Sequence, residues 1–194
     1  MFGLFLSLMM GCVDKATPKD SAATADSSEP VEETISFDSC SYRIGENICN
    51  IESVDQNADL FDLYSYHGRP IVIDLSTMWC PVCKRAAPYA EQFMTDWADY
   101  DLLWITIIIE DEMGNEVNAA ELAQWALEHN LEKSLVVKGS RNMIDLEGLN
   151  GFPATGWPTF VFIDEDLLIF HGVGGWSEEY VEQKLTEMLV LGPE

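Results

Sequence analysis

A chain of 194 residues, 47% of them hydrophobic, is long enough to bury one sizeable core and too short for two large domains. Its 34 acidic residues against 10 basic ones give a formal net charge of −24. That balance argues against nucleic acid as a partner, because phosphate binding needs clustered Lys and Arg, and reads as a solvated acidic surface that keeps the protein soluble.

Residues 2–10 form an apolar run too short to span a bilayer and of the length of a signal-peptide core. The run ends in Leu8-Met9-Met10-Gly11-Cys12, which resembles a bacterial lipobox. The resemblance implies a lipoprotein signal peptide over residues 1–11 and lipidation of Cys12. It further implies a lipid-anchored protein in the cell envelope, on the periplasmic face of a bacterial membrane. Residues 12–36 follow as an acidic tether of Ala, Ser, Thr, Asp, Glu and Pro with almost no large apolar side chains. Such a stretch cannot bury enough surface to offset its ordering entropy and is expected to be disordered.

The folded domain is expected over residues 37–194. Near its start Cys40 and Cys49 flank a stretch with a Gly-centred turn at Gly45, and in an exported protein this pair is expected to form a structural disulfide. An apolar turn over residues 60–66, then His67-Gly68-Arg69-Pro70, leads into the apolar run Ile71-Val72-Ile73-Asp74-Leu75, a strand. Trp79-Cys80-Pro81-Val82-Cys83-Lys84 stands where that strand gives way to a helical pattern.

Beyond it, Ala86, Ala87, Ala90, Phe93, Met94 and Trp97 recur at helical spacing and predict a long amphipathic helix. Residues 102–109 are a continuous run rich in β-branched side chains, the mark of a strand buried on both faces. Asn118 with Glu121 forms a capping box for a helix ending near His129-Asn130. A short strand at residues 135–137 and a helical turn at 143–146 come next. Strands at 159–163 and 167–171 are joined by Asp164-Glu165-Asp166 as a hairpin, and a last helix spans 177–189 with Ser177 as its N-cap.

Two cysteines separated by two residues at a helix start can close a small disulfide ring and reopen it. The first thiol lies at the positive end of the helix dipole, where the thiolate is favoured. Strand, CxxC and helix in this order is the context in which the motif reads as redox chemistry. Cys80 is then the attacking or attacked sulfur and Cys83 the resolving one. Asp74, if buried behind the pair, is a candidate acceptor for the Cys83 proton, since desolvation raises a carboxylate's pKa into a useful range.

Several features together resemble the thioredoxin superfamily: Asp74 six residues before Cys80, Pro88 five after Cys83, and Gly156-Trp157-Pro158-Thr159-Phe160 far downstream. The last looks like the cis-proline loop that faces the CxxC in that fold. Residues 60–70 resemble the N-terminal extension of the TlpA/ResA-like branch. The resemblance implies a thioredoxin-like three-layer α/β/α sandwich with an N-terminal extension, and a thiol:disulfide oxidoreductase. Trp79, Trp157 and Pro158 are implied as its substrate-binding surface, although Trp157 is bulkier than the residue usual before this proline.

The implied partners are disulfides of exported proteins, such as apocytochromes c, and a membrane-bound thiol reductant. No cofactor and no metal is expected. Two other classes stay open. A peroxiredoxin-like peroxidase would use Thr77-Met78-Trp79-Cys80 as a T-x-x-C motif, although Ile73 stands where that motif has Pro. A copper-binding chaperone would use Cys80 and Cys83 as soft ligands, with His171 as a third.

Overall fold

The structure is a computed structural model that describes residues 35–191. The expected signal peptide, Cys12 and the expected tether up to residue 34 lie outside the described residues. Ile35 and Phe37 already pack against core side chains.

Two short strands open the fold, β1 (Glu52–Val54) and β2 (Leu60–Asp62), paired as an antiparallel hairpin. A 3₁₀ turn over Leu63–Tyr66 follows, started by the Asp62 side chain accepting from the Tyr64 amide. The central strand β3 (Ile71–Ser76) is buried at every position. It runs parallel to β4 (Leu103–Ile108), which is parallel to β5 (Leu135–Lys138). On its other side β3 pairs antiparallel with β6 (Thr159–Ile163), and β6 with β7 (Ile169–Gly174). The five-stranded order is β5-β4-β3-β6-β7. Both middle parallel strands are apolar on two faces because both faces are covered.

Alternation along the strands separates two cores. Val72, Trp104, Val136, Phe160 and Phe162 point to one face and pack with α1 (Pro81–Ala86), α2 (Tyr89–Asp96), α3 (Ala119–His129) and α4 (Glu178–Thr186). Ile71, Ile73, Ile105, Ile107 and Val161 point to the other, against Ile48, Ile51, Phe61, Leu63, Phe152 and Leu167. The N-terminal extension therefore supplies much of the second cover, with Phe152 and Leu167 joining it from later loops. Its hairpin also borders β5, where Ser53 Oγ donates to the Lys138 carbonyl and the Val136 amide donates to Gln56 Oε1. An otherwise bare sheet edge is thereby occupied.

The thioredoxin-like α/β fold expected from the motifs is present, and four details differ. The long helix is two, because Pro88 has no N–H and α2 begins after it. The helical turn lies at Arg141–Met143, earlier than expected. Ile144 is extended and bridges Phe152, whose amide donates to the Met143 carbonyl at 2.7 Å. The last strand starts at Ile169 because Asp164 accepts from the Asp166 and Leu168 amides, and Leu167, fully buried, sits at φ +62°. The last helix ends at Thr186 and continues as a wider π turn over Glu187–Leu191. The capping box on α3 forms as read from Asn118 and Glu121.

Candidate active site

The carboxyl end of β3 carries Thr77-Met78-Trp79 into α1. Cys80 is the N-cap of that helix: its backbone is extended, and its Sγ accepts from the Cys83 amide at 3.2 Å. Pro81 occupies the first helical position, where its missing N–H costs nothing. Cys80 and Cys83 are joined as a disulfide, with Cα atoms 5.3 Å apart. Cys80 is 4% exposed and Cys83 fully buried. The Trp157–Pro158 bond is cis, and the Trp157 carbonyl oxygen lies 3.7 Å from Cys80 Sγ. The two distant motifs thus meet at one sulfur.

Asp74 is on the helix-facing side of β3, in register with Thr106 on β4 and Phe160 on β6. It is 1% exposed. Ser76 Oγ donates to its Oδ1 at 2.7 Å, while Oδ2 has no protein partner. Burial pushes its pKa up from 3.8 to about 7, with Ser76 and, more weakly placed, Thr106 pulling the other way. A buried carboxyl that titrates near neutrality therefore lies on the face of β3 that the helices cover.

Lys84, one turn into α1, donates to Glu112 in the loop after β4. Both side chains are well exposed, so this pair is a solvated one of small energetic weight. His67 is exposed, as its place beside Gly68 suggests. His171 Nε2 lies 3.0 Å from the Tyr180 hydroxyl. Cys40 and Cys49 are joined, with Cα atoms 4.8 Å apart. Their loop is tied to the start of β7 by Gly45 N–H to the Ile169 carbonyl and Ile169 N–H to the Glu46 carbonyl.

Two residues of the site escaped the sequence reading. Glu110, 8% exposed, follows the end of β4; it accepts from the Trp79 indole N–H at 2.8 Å and from both arms of the Arg141 guanidinium. Arg141, just past the end of β5, lies over the Trp157 ring at 5.5 Å from its centroid. Arg141 holds the Glu110 carboxyl below its usual range, burial opposes this, and the Trp79 donor lowers it further. A signal for both existed. In open α/β sheets functional groups collect beyond the carboxyl ends of parallel strands, and Glu110 breaks an apolar run at such an end.

A model of the AhpC/TSA family matches residues 44–171. An uncharacterized protein of Haemophilus influenzae is 25% identical over 131 residues, covering 66% of this chain and 79% of that protein. Among solved structures, the pneumococcal exposed lipoprotein thioredoxin Etrx1 of Streptococcus pneumoniae superposes with a TM-score of 0.58 at 19% identity. That match covers 72% of this chain and all of the other. A thiol:disulfide interchange protein of Chlorobium tepidum, a thioredoxin family protein, gives 0.58 at 17% identity, covering 74% of this chain and 95% of its own. These likenesses establish the thioredoxin-like fold.

Proposed function

The chain belongs to the AhpC/TSA family, and on that premise we propose that it is a thiol:disulfide oxidoreductase working through Cys80 and Cys83. One observation carries the reading: a bonded CxxC pair caps α1 with its first sulfur against the carbonyl of the residue before a cis proline. In the reducing direction the Cys80 thiolate attacks a substrate disulfide, forming a mixed disulfide and releasing one substrate thiolate. Cys83 then gives its proton to Asp74 and attacks Cys80 Sγ. The second substrate thiolate leaves and the pair is oxidised. A thiol reductant must return the two electrons. Trp79, Trp157 and Pro158 form the surface on which the substrate lies.

The substrates are disulfides of exported proteins, apocytochromes c among them, and the reductant is membrane-bound. The signal-like residues 1–11 and the lipobox at Cys12 support this placement, as does the likeness to an exposed lipoprotein thioredoxin. No helix among the described residues is long and apolar enough to cross a membrane. Residues 12–36 serve as the tether. Wild-type protein found soluble, starting after residue 12 and carrying no lipid, would sink the anchor.

The peroxidase reading is weaker. Ile73, where its motif has Pro, is buried in the second core, and the partner sulfur of Cys80 is one helical turn away. The test is insulin reduction. Cys80→Ser should abolish it, and Cys83→Ser should accumulate mixed disulfides with substrate. Full turnover by Cys80→Ser, or oxidation of Cys80 by peroxide far faster than by a disulfide, would overturn the proposal.

A further inference from the structure

The carboxyl ends of the three parallel strands converge on the dithiol, and only the first of them, through Trp79-Cys80, has a role so far. The second ends at Glu110 and the third leads into Arg141. Glu110 is nearly buried and reaches in two directions. One oxygen takes both the Trp79 indole N–H and an Arg141 nitrogen at 2.8 and 2.9 Å, while the other takes Arg141 Nε. Its backbone carbonyl accepts from the Met78 amide at 2.9 Å, so the same residue also holds the turn that delivers Cys80. Arg141 spans the remaining gap by lying over Trp157, whose carbonyl touches Cys80 Sγ.

The chain Trp79–Glu110–Arg141–Trp157 thus links the residue before Cys80 to the residue whose carbonyl meets its sulfur. We propose that Glu110 and Arg141 are positioning residues that set these two tryptophans as the fixed jaws of the substrate groove. This inference rests on the exchange reading for what enters the groove and on the contacts alone for the coupling. A planar guanidinium suits the task because its fork grips a carboxylate with two nitrogens while its face covers a ring, which a lysine cannot do. Glu110, in turn, is charged and largely out of water, so its hydrogen bond to the indole is of the strong, charge-assisted kind.

The coupling predicts an effect at a distance. Arg141 does not donate to Trp79, yet losing it should be felt at the Trp79 indole through Glu110. The experiment uses the reduced full-length protein and variants Arg141→Ala, Arg141→Lys, Glu110→Gln and the Arg141→Ala/Glu110→Gln double. The Trp79 indole ¹H–¹⁵N resonance is assigned from Trp79→Phe. Arg141 is largely exposed, so its variants should keep the fold, which thermal melting checks.

In Arg141→Ala the Trp79 indole resonance should shift and its hydrogen exchange quicken. The kcat/KM for insulin should fall about tenfold, mainly through KM, with a smaller loss on oxidised glutathione, which is too short to fill the groove. Arg141→Lys should restore little, and the double variant should be no worse than the worse single one, as for residues acting as a unit. An unmoved indole resonance in Arg141→Ala, or equal losses on insulin and glutathione with a matching fall in melting temperature, would overturn the inference. If the wild type reduced neither disulfide, the exchange reading would fail, and the indole resonance would still decide the coupling.

Discussion

Cys80 Sγ lies between the Trp157 carbonyl oxygen, 3.7 Å away, and the Cys83 amide, 3.2 Å away. The two neighbours act in opposite senses on the reduced sulfur. The amide stabilises a thiolate, whereas the carbonyl is an acceptor for the S–H. A substrate strand pairing with the Trp157 backbone would remove that acceptor and leave the amide, so binding itself favours the attacking form. Cys83 is fully buried and meets no such opening. After mild reduction, iodoacetamide should therefore alkylate Cys80 faster than Cys83 by about tenfold or more. Tandem mass spectrometry locates the adduct, and primary labelling at Cys83 would reverse the assigned roles.

Asp74 ties function to stability. Its folded pKa is raised, from 3.8 to about 7, so between these values the folded protein holds a proton that the unfolded chain has lost. Stability should then fall as pH rises through that window, be fully reduced above it, and be unaffected by this group below pH 3.8. The shift corresponds to about 4 kcal/mol. In Asp74→Asn a buried amide donor offsets part of it, leaving a net gain of about 1–3 kcal/mol at pH 8. Turnover should drop about a hundredfold as the resolving thiol loses its proton acceptor. Melting curves at pH 4 and pH 8 check the first half, and mixed-disulfide lifetime the second. An Asp74→Asn protein no more stable than wild type at pH 8 would contradict the burial argument.

The parts of this architecture that were legible in the sequence are those carried by local pattern. The apolar run at β3 and the Asn118/Glu121 capping box announce their elements because backbone demand and side-chain type coincide there. The meeting of Cys80 with the Trp157–Pro158 loop was legible only through the order of the two motifs along the chain. The β1–β2 hairpin was not, since Leu60 is exposed and three-residue strands carry almost no periodicity. Nor was the pairing of Glu110 with Arg141, because 31 residues separate them and only the β4–β5 register brings them together. The early start of the Arg141–Met143 turn has the same origin: Gly151 and Phe152 pack onto Met143 from across a loop.

The Cys40–Cys49 disulfide closes a nine-residue separation and fixes a loop whose amides join the start of β7 and the β6–β7 turn. Ile48, fully buried, is delivered to the second core by the same loop, its amide donating to the Leu167 carbonyl at 2.9 Å. Replacing both cysteines with alanine should cost about 2–3 kcal/mol in the chain-entropy picture. Insulin reduction at temperatures well below the transition should persist, because Ile48 of this loop packs in the second core whereas Cys80 and Cys83 pack in the first. Loss of activity in a still-folded double variant would show a second redox role for the pair.

Gly139 offers a test of how β5 delivers Arg141. The chain crosses the end of β4 there so closely that the Gly139 amide donates to the Ile108 carbonyl at 2.8 Å. A Cβ at this position would stand 2.7 Å from Ile107 Cγ2, 2.8 Å from Ile109 Cδ1 and 2.9 Å from the Ile108 oxygen. The side-chain tips could rotate, but the Ile108 oxygen belongs to a buried central strand and cannot. The need for glycine is thus spatial, and Gly139→Ala must lift the segment that leads through Ser140 to Arg141. Overpacking of this kind costs about 1–3 kcal/mol, or roughly 2–12 °C in melting temperature. Gly156, where a Cβ would meet nothing within 4 Å, is the control, and its alanine variant should melt with the wild type. Gly139→Ala should also shift the Trp79 indole resonance in the same direction as Arg141→Ala, since both loosen the hold on Glu110. Equal melting temperatures for the two glycine variants would mean that the crossing yields where the packing says it cannot.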